Sequence, residues 1–453
     1  MFVKNKKTFG VALAFACSAL FTPLGVAQAG GEPAEVAEDF EPTEGAPLGT
    51  MAVDPSLRSF GLYKKVQQYE AMGEGKVVLR QSWPELYLAD GDGRSMLGSK
   101  NFPKLAAALE SYNNSARAEA LRVQEQMREE ALRDYAERKK NGYGDSFNGY
   151  AYENDLIIKR ADALVLSFLD STYTYTGGAH GGQMYQGVNF DASTGERLSL
   201  NQVFPDGEQL VEVLIEKLYE ENRQGTFFDS MEATVADQVI HDKVSWVIEP
   251  RGVTFYFNQY EIAAYASGTI TTTIGFDERP GMFNPKYNLG PASYCEELTT
   301  FPADNVCLYD DGSGKLDTLM AFVDNNRLNI VLNGKVVCKK DFVGNNRVRP
   351  VFVHTGGNKN FLYIDYGFAS PQMGVGRQMD VFKLDSGKAT FVHTSPYSFQ
   401  RTFDQTKTGE QWIGQWIMTD PYEFNIDEPH FSTNGQSKTH TVQIGEEGFP
   451  TFG

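Results

Sequence analysis

The chain has 453 residues, with 41 Lys and Arg against 59 Asp and Glu and a formal net charge of −18. That balance repels phosphate backbones and excludes a nucleic-acid-binding role. The length, with 31 Phe and 22 Tyr, supplies apolar area for more than one core.

Lys4, Lys6 and Lys7 precede an apolar run that Pro23 and Gly25 interrupt, and Ala27-Gln28-Ala29 follows with small residues. The pattern is that of a secretory signal peptide over residues 1–29, cleaved after Ala29. Its loss removes three lysines and no carboxylate, moving the formal charge from −18 to −21. A periplasmic or extracellular product with no membrane span after cleavage is expected. Residues 30–58 are rich in Pro, Gly, Ala and Glu without an apolar period, as in an acidic flexible linker.

Residues 76–88 are extended in character, and Pro84 suggests an edge strand or two short pieces. A helix over 102–112 carries Pro103 in its first turn. Asn113-Asn114 then breaks it from a second helix over 115–140, where Leu121, Met127, Leu132 and Tyr135 form a stripe. Residues 59–146 are the first half of an α+β domain on this reading. From Phe147 the apolar period becomes two, and strands are expected around 150–152, 156–159, 163–168, 172–175 and 184–190. Helices follow over 208–223 and 227–241. Further strands are expected from Gly252 and over 269–276, separated by a compact aromatic stretch at 260–267. The fold class over 59–280 is α+β, an antiparallel sheet with packed helices, its second half spanning 147–280. Three prolines between 280 and 291 mark a boundary. Beyond it, 290–453 lacks long helical patterns and is expected to be an all-β domain, with a hairpin over 328–339 around Asn333-Gly334.

Tyr175 leads into Gly177-Gly178-Ala179-His180-Gly181-Gly182, a loop whose glycines let a ligand approach the backbone. His180 is the obvious site residue, and Asp191 and Glu261 are carboxylates that could serve it. The tyrosines Tyr175, Tyr256 and Tyr260 offer rings to a sugar or a protein partner. No Gly-x-Ser-x-Gly elbow, His-Glu-x-x-His helix or phosphate-binding Gly-rich loop occurs, and no cofactor is expected. Asp311, Ser313 and Asp317 give a weak metal-loop pattern that departs from the EF-hand spacing. Cys295, Cys307 and Cys338 lack zinc-site spacing. In an exported chain they predict one disulfide and one free thiol, with the pairing open.

Four ordered pieces resemble a known family: Tyr175 to Gly181, Asn189 to Gly195, Leu198 to Phe204, and Gly252 to Ala263. They are similar to the extracytoplasmic domain of lysozyme-sensing anti-sigma factors, which also stands beside the catalytic domain of certain peptidoglycan deacetylases. The resemblance covers 147–277 and reaches weakly back to residue 77. It implies a non-enzymatic envelope-binding fold, with a lysozyme-like cationic protein or a cell-wall glycan as partner. No deacetylase metal motif accompanies it. An envelope hydrolase using His180 with a carboxylate is the alternative, and residues 290–453 resemble nothing identifiable. The ligand-binding residues expected are Tyr175, Gly178, His180, Gly181, Tyr256 and Tyr260.

Overall fold

The computed structural model describes residues 53–453 except 90–96, 224, 299–306, 311–315, 325, 343–347, 358, 371–373, 400, 406–410, 423, 428–438, 446–447, 449 and 453. The expected signal peptide, most of the linker, and Asp311 and Ser313 lie outside the described residues.

The first long strands, β1 (Leu62–Gly73) and β2 (Lys76–Leu88), form a hairpin whose turn places Glu74 and Gly75 at φ 47° and 85°. Helix α1 (Pro103–Lys140) then crosses over to β3 (Tyr150–Ala161), which lies parallel to β2. A parallel pair needs such a crossover. Strands β4 (Val165–Tyr175) and β5 (Gly182–Asp191) extend the sheet antiparallel.

Two sequence expectations fail here for one physical reason. Helix α1 does not break at Asn113-Asn114, because the Asn113 side chain is buried and bonded to the backbone of Leu86 on β2. Strand β2 does not break at Pro84 either. Its parallel pairing with β3 covers only Leu79 to Ser82, so Pro84 lies where no ladder partner is required on that side. Nor is β2 an edge strand, since β1 and β3 flank it.

Helices α2 (Gly207–Glu221) and α3 (Met231–Ile240) bury Leu210, Leu214, Leu218, Met231 and Val235. Their partner is a three-stranded sheet of β6 (Ser245–Glu249), β7 (Gly252–Phe257) and β8 (Ile270–Gly275), which supplies Phe255 and Ile274 to the same core. Helix α3 starts four residues later than its sequence pattern, because Phe227 is bridged to Ala263 and the Phe228 N–H donates to the Ile262 carbonyl. This layer sits directly on β5: a Cβ at Gly187 would lie 1.7 Å from the Trp246 carbonyl oxygen, so only glycine admits the approach.

The C-terminal region is mostly β. One sheet contains β9 (Tyr294–Glu297), paired with 349–355, followed by 359–370, 374–385 and 388–395. A second, four-stranded sheet holds β10 (Cys307–Asp310), β11 (Leu316–Asp324), β12 (Arg327–Leu332) and β13 (Lys335–Asp341). Tyr309, Ile330, Phe352 and Leu362 fill the core between them. The hairpin at Asn333-Gly334 forms, with φ of 50° and 73°, values that match the twist of paired strands. Strands 401–405 and 411–417 leave this region and join the first sheet, where Ile417 pairs with Leu62.

The expected disulfide is not formed, and all three thiols are free. Tyr294 and Cys295 alternate across β9, so Tyr294 enters the core shared with Cys307 while Cys295 enters another. Cys307 and Cys338 stand on β10 and β13, the two outer strands of one sheet. Three strand spacings of about 4.8 Å separate them, beyond the reach of a disulfide.

Candidate functional site

Strand β4 ends at Tyr175, and the loop that follows is shaped by backbone only glycine adopts freely. Gly177 and Gly178 have φ of 85° and 128°. The Tyr175 hydroxyl donates to the Gly178 carbonyl oxygen at 3.0 Å, folding the loop back on the strand end. At Gly181 a Cβ would stand 2.6 Å from both the Thr174 carbonyl oxygen and the Tyr173 hydroxyl. Glycine there lets the chain turn tightly against β4 and sets the direction of His180.

The His180 ring lies on Tyr265, with centroids 4.7 Å apart and planes 19° from parallel. Tyr265 in turn stacks on Tyr260 at 5.7 Å and 25°. Three rings from two separate loops thus form one stack, and its outer member, Tyr260, is 51% exposed. Tyr260 also holds φ of 68°, a left-handed backbone that costs a non-glycine residue about 1 kcal/mol. The turn is fixed by its neighbours. The Asn258 side chain accepts from the Tyr185 N–H at 2.8 Å and donates to its carbonyl at 3.1 Å, while Glu261 accepts from the Asn258 N–H at 2.9 Å.

Tyr256 does not belong to this surface. It is fully buried beside Tyr185, Leu169 and Val247, where β7 packs on the main sheet, so the expectation that it meets a ligand is corrected. Asp317 accepts from the Asn333 side chain at 2.7 Å and braces the hairpin.

The chemistry around His180 is sparse. It makes no hydrogen bond or ion pair among the described residues, and its buried Nδ1 has no partner. Asp191 is occupied elsewhere. Burial opposes its charge, but hydrogen bonds from Lys286, Ser193, the Thr194 N–H and Tyr287 hold the carboxyl well below the usual range. Glu261 is bonded to Asn258. Among the described residues no group of three or more His, Cys, Asp or Glu could hold a metal ion.

Two features escaped the sequence reading. Tyr265, the middle ring, was visible only as part of an aromatic stretch at 260–267. A groove of about 480 Å³ lies between α2 and α3, lined among others by Tyr219, Asn222, Phe227, Phe228 and Glu232. It is tied to the stack through the bridge from Phe227 to Ala263.

A family model described as deacetylase PdaC matches residues 98–183, and one described as a protein of unknown function, DUF3298, matches residues 201–277. His180 falls in the first segment and Tyr260 and Tyr265 in the second, so the stack bridges the two. Two solved structures of DUF3298-family proteins are similar in part. One, from Bacteroides fragilis, is 19% identical with a TM-score of 0.38 and covers 51% of this chain and 96% of its own. The other, from Pseudomonas aeruginosa PAO1, is 17% identical with a TM-score of 0.31 and covers 52% and 98%. No curated protein matches the chain. No described helix is long and apolar enough to cross a membrane.

Proposed function

We propose, from the matches of residues 98–183 to the PdaC model and 201–277 to the DUF3298 model, which support a shared extracytoplasmic domain family, that the chain is a non-enzymatic binding protein of the cell envelope. It acts in the periplasm or outside the cell after loss of residues 1–29. Its ligand is a basic, lysozyme-like protein that seats on the stack of Tyr260, Tyr265 and His180.

The observation that carries this reading is the exposed Tyr260, held in a left-handed backbone at the end of a three-ring stack. Strain of that kind persists where the surroundings enforce it, and it concentrates at binding sites. A large ring already fixed by its neighbours loses little side-chain entropy on contact with a partner. The acidic surface favours a basic partner through long-range steering, which raises the encounter rate more than the final affinity. The hydrolase alternative needs a carboxylate within reach of His180, and neither Asp191 nor Glu261 bonds to it.

The test is calorimetry of the chain from residue 30 onward against hen egg-white lysozyme at two salt concentrations, with soluble peptidoglycan fragments as a second titrant. Heat with lysozyme that weakens at high salt and disappears in Tyr260→Ala is the expected result. Heat with the glycan alone would replace the protein ligand by a sugar, and no heat with either would refute the reading.

A further inference from the structure

We propose that Lys159, Glu249 and Glu296 form an alkaline-sensitive latch that fastens the α+β part to the C-terminal sheets. Lys159 is on β3, Glu249 ends β6, and Glu296 is on β9, so the three side chains meet where three sheets converge. All are buried, at 0%, 2% and 1% exposure. Lys159 Nζ lies 2.9 Å from Glu296 and 3.5 Å from Glu249, and it also reaches the Glu297 carbonyl oxygen at 3.4 Å. The same seam is sewn by the Ile158 N–H donating to Glu297 at 3.1 Å and by Arg160 donating to the Leu289 carbonyl at 2.7 Å.

The charges in this cluster do not balance: one ammonium faces two carboxylates in a region without bulk water. The remaining groups do not correct the excess. Cys307 donates its thiol to Glu296 at 3.4 Å, and burial pushes that thiol up, so it stays neutral. Tyr256 and Tyr294 border the cluster, and burial pushes the Tyr294 phenol up. Arg251 is committed to Asp277 at 2.8 Å. His354, stacked on Tyr294, is held toward the neutral form by burial. Glu249 is the carboxylate to which we assign the proton that restores neutrality, because its approach to Lys159, at 3.5 Å, is the longer of the two. Burial first, and then the charge of Glu296, push its carboxyl up to about 8.

The sign follows from linkage. Glu249 is raised in the folded protein, so its contribution is complete below the ordinary glutamate value of 4.5. It falls as pH rises and is gone above about 8. Between those limits the folded state holds one more proton than the unfolded state. This corresponds to a tenfold change in the unfolding equilibrium per pH unit. Once Glu249 ionises, a buried pair of carboxylates shares one cation, and the seam between β3 and β9 loosens first.

The experiment is equilibrium unfolding of the full chain from pH 5 to 9, with hydrogen exchange over 158–160 and 294–297 corrected for intrinsic rates. The wild type is expected to lose stability with rising pH and to exchange faster at this seam at pH 9. Glu249→Gln removes the excess carboxylate and flattens the slope by one proton. Glu296→Gln does the same, because Glu249 then becomes the partner of Lys159. This second variant carries the test if the first fails to fold. The double variant, which removes both carboxylate partners of the buried Lys159 charge, is less stable at every pH. A single variant with the wild-type slope, or seam exchange that does not change with pH, overturns the proposal.

Discussion

Asn113 completes Leu86 as a neighbouring strand would: its Oδ1 accepts from the Leu86 N–H at 2.9 Å, and its Nδ2 donates to the Leu86 carbonyl at 2.9 Å. A helix thereby closes the side of β2 that β3 abandons after Ser82. Both backbone groups are buried, and each would cost about 1–3 kcal/mol if left unpaired. Asn113→Ala is therefore expected to destabilise the protein by about 2–4 kcal/mol in chemical denaturation. Asn114→Ala, next to it on an exposed position, should be near neutral.

The same pair shows what was legible in the sequence. Local chemistry was readable where it acts locally: Pro103 opens α1, Asn333-Gly334 turns the hairpin, and the change to an apolar period of two at Phe147 marks the sheet. Asn113-Asn114 and Pro84 carry strong local signals too, but Asn113 is bonded to Leu86, 27 positions away and just beyond Pro84 on the same strand, and no local window of sequence contains that pairing. The site behaves likewise. The glycine loop and Tyr260 stood out individually, whereas their union depends on Tyr265 and on Asn258 docking to Tyr185. Tyr256 alternates with Phe255 and Phe257 as an outward residue should, yet a second layer covers that face, so period two could not separate it from the surface.

Asp191 makes acid sensitivity a local property of the 191–195 turn. Its carboxyl is depressed in the folded state, so the stability it contributes is present above the unfolded value near 3.8 and is lost as pH falls further. Asp191→Asn is expected to lower stability at pH 7 by about 1–3 kcal/mol, since charged hydrogen bonds are of that order. The difference from wild type should narrow below pH 3.8, as followed by thermal unfolding.

The free cysteines predict a labelling pattern. Cys295 and Cys307 are buried, whereas Cys338 is partly exposed. Burial raises all three thiols, so their thiolate fraction at neutral pH is small. Alkylation of the native protein without reductant should label Cys338 slowly and spare the other two. In denaturant all three should react, and mass spectrometry of the digest would register each site. A Cys307–Cys338 pair recovered under those conditions would require a strand order different from that of the four-stranded sheet.

Tyr260 should separate stability from binding. Its φ of 68° is unfavourable for a side chain and free for glycine. Its ring is half exposed, so removing it forfeits only the contact with Tyr265 and a limited apolar area. Tyr260→Gly therefore trades relief of about 1 kcal/mol against a stacking loss of about 0.5–1.5 kcal/mol. Its unfolding free energy should remain within about 1 kcal/mol of wild type. A Gly at this position also widens the unfolded ensemble, which makes Tyr260→Asn the cleaner partner variant, since Asn tolerates the left-handed region without that entropy. If the stack is the binding surface, both variants should lose heat with lysozyme in calorimetry while keeping wild-type thermal unfolding. His180→Ala leaves Tyr260 and Tyr265 in contact and should weaken binding less than either. Equal losses from a distant surface substitution such as Asn114→Ala would instead place the contact outside the stack.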